Sequence, residues 1–290
     1  MPDGHKTGTV NIMKIVAAIH DLSCHSKSSL TVVIPTLAAM GVQASILPTA
    51  LLSTQTDGYV AYEYLDVTDF MSATIRHWKL LKLQFDALYS GFLGSEAQID
   101  LVLDVIDWQK ETNPDILVVI DPVLGDHGLP YSPVSDSLIK RMGDLVARAN
   151  CITPNTTEAA LLLKEPFKIN LSIEEAMQWA QRLSALGPEH VAITSVMDGL
   201  EGVVVAYDAT TKTFVTSRQV YAPISYPGCG DLFASIVSGQ MVQGFKFVDA
   251  VEHASRLVSQ AVHLSYQAEV QPRLGVAVEL IMPALVESFR

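Results

Sequence analysis

Apolar positions along the chain fall into short, near-continuous runs separated by longer stretches with helical spacing. KIVAAIH (Lys14–His20), VQASILP (Val42–Pro48), ALYSGFL (Ala87–Leu93) and DILVVIDP (Asp115–Pro122) each predict a strand. The last is almost wholly apolar and ends on Asp-Pro, the mark of a strand covered on both faces in a parallel sheet. Between these runs, Ser29–Met40 predicts a helix despite Pro35, Asp66–Phe85 is a long amphipathic stretch, and Ser95–Glu111 predicts a helix capped by Ser95. NCITPN (Asn150–Asn155) is a short strand entering a turn. Three closely spaced runs, His190–Ser195, Gly202–Asp208 and Thr213–Val220, predict an antiparallel edge. Helical spacing then covers most of Asp231–Phe289.

This alternation specifies an α/β fold: a central, mostly parallel sheet with an antiparallel edge and helices on both faces, in three α/β/α layers. No linker, repeat or low-complexity run breaks it. The expected organisation is therefore a loose polar lead-in over residues 1–12 and one domain over residues 13–290. In such sheets ligands bind outside the carboxyl ends of the strands, so the informative residues are those that follow strands.

Composition narrows the field. The chain is 49% hydrophobic and 17% charged, which suits a globular protein with a generous core. Its net charge of −12 and lack of a Lys/Arg cluster argue against nucleic acid or an anionic membrane as partner. Cys24, Cys151 and Cys229 are widely spaced, with no CxxC, which argues for a reducing compartment and against a disulfide framework or structural zinc. Leu30–Thr56 carries no Asp, Glu, Lys or Arg and is long enough to cross a bilayer. Pro35, Gly41, Gln43 and Pro48 interrupt it, so a buried helix followed by a buried strand is expected instead. No secretory pattern precedes His20 and Asp21, and a cytoplasmic location is expected.

A P-loop, a GxGxxG after the first strand, HExxH and GxSxG are all absent. Four segments after strands carry the candidate chemistry: DPVLGDHG with Asp121 and Asp126, TPNTTEA with Asn155 and Glu158, ITS with Thr194 and Ser195, and GCGD, Gly228 to Asp231. Carboxylates at strand ends suit Mg²⁺, which takes oxygen ligands, keeps several waters and bridges to phosphates. A Gly-rich turn feeding a helix suits an anion on its N–H groups. Together they point to phosphoryl transfer from a nucleotide, where catalysis is positioning and charge stabilisation. Structural alternatives stand beside each. Asp231 could cap its helix. Asn155 and Glu158 have capping-box spacing. Asp-Pro at Asp121 and the GDHG around Asp126 could be turn chemistry.

These segments also resemble the ribokinase-like superfamily, and within it the pyridoxal kinase branch. GCGD resembles that superfamily's anion-hole and base motif, while DPVLGD, TPNTTEA, YSGFLGS and LSTQTDGY look like the corresponding segments of the branch. The N-terminal DLS and SLTVVIPTLAAMGVQASILPTALLST are similar to its Gram-positive bacterial group, and the likeness runs from Lys14 to the C-terminus. The resemblance implies a kinase that uses ATP and Mg²⁺ to phosphorylate the 5′-hydroxymethyl group of pyridoxal, pyridoxine or pyridoxamine, working as a homodimer. It leaves open a need for a monovalent cation such as K⁺. It implies Asp231 as base and the N–H groups of Gly228, Cys229 and Gly230 as the anion hole. Asp126 and Glu158 would organise Mg²⁺. Asp121 and Asn155 would lie beside the ATP phosphates and metal, and Thr194 and Ser195 near the phosphate tail. Ser23, Thr56 and Asp57 would hold the ring's polar edge, and Tyr89 would line its pocket. Lys27, Lys212 and Arg218 are candidate cations for the triphosphate.

Two departures stand out. The group's Ser-Gly-x-Gly-Arg loop reads SCHSK here, Ser23 to Lys27, and Cys229 stands where Thr is common. The rival reading on the same fold is hydroxymethylpyrimidine kinase, whose branch tends to place Cys at the position of Asp231; the retained Asp favours pyridoxal kinase. A non-catalytic pyridoxal- or nucleotide-binding protein is the alternative of a different class.

Overall fold

Alternating small and branched residues let one strand serve two cores, and the sheet is built around such a strand. In a computed structural model, which describes residues 13–132, 134–220 and 224–287, β1 (Ile15–Ser23) sends Ala17 and Ile19 into one core and Val16 and Ala18 into the other. The expected lead-in, residues 1–12, lies outside the described residues.

After β1 the chain forms α1 (Leu30–Ala39), which contains Pro35, and returns as β2 (Gln43–Leu52), parallel to β1. A short strand, β3 (Tyr64–Asp66), adds antiparallel to β2; all three of its residues are exposed, so the apolar pattern does not signal it. Next come α2 (Thr68–Leu81), β4 (Ala87–Ser90), α3 (Glu96–Thr112) and β5 (Leu117–Ile120), with β4 lying between β1 and β5. Ser95 caps α3 by accepting the Gln98 N–H. A small hairpin, β6 (Gly125–Asp126) with β7 (Leu129–Pro130), precedes α4 (Asp136–Val146) and β8 (Cys151–Ile152). Two helices, α5 (Thr156–Leu163) and α6 (Ile173–Ser184), lead to β9 (His190–Asp198). β10 (Glu201–Asp208) and β11 (Thr213–Val220) complete the antiparallel edge. The chain ends with α7 (Cys229–Val242), α8 (Phe247–Gln267), 3₁₀ turns at Pro272–Leu274 and Val278–Ile281, and α9 (Met282–Glu287). The region beyond α8 is thus less helical than its sequence spacing suggests.

The nine-stranded sheet runs β11-β10-β9-β8-β5-β4-β1-β2-β3, parallel from β9 to β2 with antiparallel strands at each edge. One core lies beneath α2 to α6, the other beneath α1, α7 and α8. The uncharged stretch Leu30–Thr56 forms α1 and β2, and no helix among the described residues is long and apolar enough to cross a membrane. The carboxyl ends of β1, β4, β5 and β8 open on one rim, and the amino end of α7 arrives there. The first glycine of YSGFLGS is fixed by close approach: a Cβ on Gly91 would stand 2.2 Å from His20 Nδ1.

Candidate active site

The amino end of α7 follows a glycine that must be a glycine. Gly228 has φ of 84°, and a Cβ there would stand 3.0 Å from the Lys27 carbonyl oxygen. The first intrahelical bond runs from Leu232 N–H to the Gly228 carbonyl, and no side chain caps the helix. The N–H groups of Cys229, Gly230 and Asp231 therefore point out of the helix end. A Cβ added at Gly230 would meet nothing within 4 Å, so the space over this turn is open.

Asp231 does not cap its own helix. Its Oδ2 accepts the Ser29 N–H at 2.8 Å, from the amino end of α1. Burial raises its pKa and the Ser29 N–H opposes the rise. Ser29 sits at φ 47° and ψ −127°, a region L-residues seldom occupy, and its hydroxyl donates to Asp21 Oδ1 at 2.5 Å. Burial, with a further push from the Asp231 charge, raises Asp21 to about 7.

Two more acids stand along the rim. Asp121 is buried after β5 and accepts the Thr153 hydroxyl at 3.1 Å. Burial and the Asp231 charge push it up to about 8. Glu158 and Asn155 form a complete capping box at α5. Asn155 Oδ1 accepts the N–H groups of Thr157 (2.8 Å) and Glu158 (2.9 Å), and Glu158 Oε2 accepts the Asn155 N–H at 2.8 Å. Glu158 Oε1 takes the Leu124 N–H at 3.2 Å, and burial raises its pKa well above the carboxylate range. Asn155 also donates to the Gly125 carbonyl at 2.9 Å, tying α5 to the β6–β7 hairpin. Asp126 lies in that hairpin, accepts the His127 N–H at 2.8 Å and has the His127 ring 3.6 Å away. Thr194 bonds the Pro154 carbonyl at 2.9 Å and forms a bridge with Asn155; Ser195 is exposed, with φ of 60°.

Among the described residues no group of three or more His, Cys, Asp or Glu side chains is placed to hold a metal ion. Both Glu158 oxygens already accept an N–H. This donor set fits a hard cation held mainly by phosphate oxygens and water, with carboxylates behind the water.

On the substrate side, Ser23 is buried and accepts the Ser28 hydroxyl at 3.1 Å. Thr56 and Asp57 are exposed, on a loop pinned by Gln55. Gln55 accepts the Asp57 N–H at 2.6 Å and donates to the carbonyls of Asp57 and Arg273, the latter at 3.0 Å. The SCHSK loop closes onto the same neighbourhood. Ser26 Oγ lies 2.9 Å from the Tyr59 hydroxyl, His25 meets the Tyr59 ring edge-on, and the Arg273 guanidinium lies 5.6 Å from that ring's centre. Ser26 holds φ of 74°, so a serine adopts the left-handed conformation that the group's glycine would allow freely.

The expectation that Tyr89 lines the ring pocket needs correction. Tyr89 is fully buried beneath the base, edge-on to His20, with its hydroxyl 3.4 Å from the Asp231 carbonyl. Its position on β4, a strand covered on both faces, puts it under the site rather than beside it. The candidate cations separate as well. Lys212 lies in the β10–β11 turn, at the opposite end of the sheet, because Asp208 pairs with His190 at the start of β9. Arg218 is held by Asp198 (2.5 Å) and Glu201 (3.0 Å), and Lys27 by Glu279 at 2.8 Å. Asp21 and Ser29 were missed as site residues by sequence reasoning. Asp21 follows the apolar run Lys14–His20, the same signal that marked Asp121, while Ser29 carries no signal because its role lies in its backbone.

Comparison with known proteins bears on this geometry. The phosphomethylpyrimidine kinase family matches residues 33–275. The pyridoxine/pyridoxal/pyridoxamine kinase of Bordetella avium is 30% identical over 261 residues, 86% of this chain and 82% of that protein. The pyridoxal kinase of Arabidopsis thaliana is 29% identical over 60% of this chain and 56% of its own length. Among solved structures, a candidate phosphomethylpyrimidine kinase from Bacteroides thetaiotaomicron, crystallised with pyridoxal, is 40% identical. It superposes with a TM-score of 0.89 over 94% of this chain and 96% of that one. The pyridoxal kinase of Lactobacillus plantarum is 27% identical, with a TM-score of 0.85 over 96% and 98% of the two chains.

Proposed function

The chain belongs to the phosphomethylpyrimidine kinase family, and we propose that it is an ATP-dependent pyridoxal kinase, acting on pyridoxal, pyridoxine or pyridoxamine. The observation that carries this reading is the open amino end of α7 beside a carboxylate turned away from it. With Gly228 at the N-cap, the free helical N–H groups are those of Cys229, Gly230 and Asp231, one position on from the expected Gly228–Gly230 set, and they can take an anion while the Asp231 carboxylate stays available for a proton. Asp231 accepts the proton of the substrate's hydroxymethyl group as that oxygen attacks the γ-phosphorus of ATP. One P–O bond forms, the bond to the β-phosphate oxygen breaks, and ADP leaves. Oriented N–H groups stabilise the charge on the transferring phosphoryl at no cost of reorganisation. A raised pKa on Asp231 suits a group that must accept a proton and release it again.

Asp126 and Glu158 would help hold Mg²⁺ together with the nucleotide phosphates and water, and the ion would supply charge neutralisation. Burial and the Asp231 charge oppose the ionisation of Asp121, next along the rim. The pyridoxal reading is favoured over hydroxymethylpyrimidine by the names of the relatives at 30% and 27% identity and by the pyridoxal in the structure at 40%. Action as a homodimer in the cytoplasm belongs to the same proposal and is supported by the family resemblance.

The test is a coupled ADP-release assay with pyridoxal, pyridoxamine and hydroxymethylpyrimidine, run with and without K⁺. Turnover of a B6 vitamer at a higher kcat/KM than hydroxymethylpyrimidine is expected. Preference for the pyrimidine would overturn the substrate assignment, and tight binding with no turnover would point to the non-catalytic alternative.

A further inference from the structure

The contact that orients Asp231 does not come from its own helix, and this has a consequence for catalysis. Ser29 reaches Asp231 through a peptide N–H, 202 positions earlier in the sequence. To point that N–H at Oδ2, Ser29 adopts φ 47° and ψ −127° immediately before α1 begins, and its hydroxyl does not cap the helix. The hydroxyl instead donates to Asp21, an acid with almost no exposed surface at the end of β1. A serine in this position gives up the capping bond it would normally make and accepts an unfavourable backbone, and an over-determined strain of this kind at a site is a pointer to function.

We infer that Ser29 is a positioning residue for the base: its strained peptide aims an N–H at Asp231 Oδ2, and Asp21 locks that peptide through the Ser29 hydroxyl. The inference rests on the kinase reading given above. With Oδ2 engaged, Oδ1 is the oxygen left for the substrate hydroxyl. The N–H also favours the ionised form of Asp231 against the burial that disfavours it. The titratable groups facing Asp231 are Asp21 on β1, Tyr89 on β4, Asp121 after β5, Tyr131 after β7 and Cys229 on α7 itself. The His20 imidazole behind Tyr89 is neutral, lowered by burial to about 3. Every ionisable neighbour is thus neutral or negative when charged, which leaves the Ser29 N–H as the stabilising contact.

The experiment compares Ser29→Ala with Ser29→Gly in the full chain, reading kcat, KM and the pH profile of kcat in the ADP-release assay, with melting temperatures recorded for both. Both variants lose the hydroxyl. Glycine tolerates φ 47° and alanine does not. The expected result is a loss of kcat of about tenfold or more for Ser29→Ala, with KM for both substrates little changed. Its acid limb should move to higher pH, because losing the N–H raises the pKa of Asp231. Ser29→Gly should recover much of the kcat and keep the acid limb near that of the parent. Asp21→Asn keeps an acceptor for the Ser29 hydroxyl, and Asp21 adds no charge to the field at Asp231, so its kcat and acid limb should stay near those of the parent. Equal kcat and equal pH profiles for the parent, Ser29→Ala and Ser29→Gly would overturn the inference. So would a kcat loss that only follows melting temperature, or a glycine variant worse than alanine. If the parent itself phosphorylates no vitamer, the kinase reading fails. An active parent with unresponsive Ser29 variants sinks the positioning role alone.

Discussion

The helices α5 and α7 both begin on the carboxyl rim of the sheet, and their amino ends are finished in opposite ways. At α5, Asn155 and Glu158 satisfy the exposed N–H groups reciprocally, and each Glu158 oxygen is engaged. At α7, the first residue is preceded by a left-handed glycine, no side chain caps the end, and the carboxylate that could have done so bonds Ser29 instead. Sequence spacing offered capping at both places. The difference lies in what surrounds each end. α5 is tied down by the Gly125 carbonyl and the Leu124 N–H, and Asn155 Oδ1 already takes the N–H groups of Thr157 and Glu158. α7 opens over Gly230, where even an added methyl would touch nothing. One helix end is complete as it stands, and the other leaves its N–H groups without a side-chain cap.

The largest test of this contrast is Asp231→Asn. If Asp231 is the base and not a cap, kcat should fall by roughly 10²- to 10⁴-fold while the melting temperature holds or rises. A residual activity close to that of the parent would remove Asp231 from the chemistry. Gly228→Ala comes next. It forces a residue with a Cβ to φ 84°, against the Lys27 carbonyl, and should rotate the N–H groups of α7. A loss of about 10²-fold in kcat is expected from a spoiled anion hole, with a melting temperature lowered by the equivalent of about 1–3 kcal/mol. Unchanged kcat in a folded variant would show that the turn does not hold the transferring phosphoryl.

Much of the rim is legible in the sequence alone. The parallel sheet, the rim and the four segments that follow strands came from apolar runs and from local motifs, because strand burial and turn chemistry are written into adjacent residues. What was not legible was long-range. Nothing near Asp231 in sequence announces Ser29, and Asp21 looked like the end of a strand. Tyr89 was misplaced for a related reason: a motif can show that a residue is near the site, but not whether a strand turns it into the rim or under it. The edge strand β3 escaped because its three residues are exposed and lack an apolar signature.

A third prediction concerns pH. Burial raises Asp21 from 3.8 to about 7, so the folded state holds its proton more tightly than the unfolded chain does. Its contribution to stability is therefore complete below about pH 3.8 and is lost as pH rises toward about 7. Asp21→Asn removes that loss. Its melting temperature relative to the parent should grow across this window and level off above it, reaching an advantage of about 2–4 °C if about 1 kcal/mol is recovered. A difference independent of pH would mean that Asp21 is not perturbed as its burial demands. Asn155→Ala, by contrast, should act through stability, costing about 0.5–2 kcal/mol of the α5 cap. If it abolished turnover without lowering the melting temperature, α5 would belong with α7 and the contrast between them would fall.

The smallest effect is expected at Cys229, the residue by which GCGD departs from its relatives. In the anion hole proposed above the donors are N–H groups, so the side chain at this position would not be a donor to the phosphoryl. Burial and the neighbouring Asp231 charge push the thiol up to about 12, which keeps it protonated and weakly nucleophilic despite its place at a helix amino end. Cys229→Thr should therefore leave kcat and KM within about twofold of the parent, since each donated bond of the anion hole persists. Thiol-directed alkylation at neutral pH should label the exposed Cys24 before Cys229. A Cys229→Thr variant that lost an order of magnitude in kcat would mean that the sulfur itself touches the transferring group, and the open end of α7 would then be more than a backbone cradle.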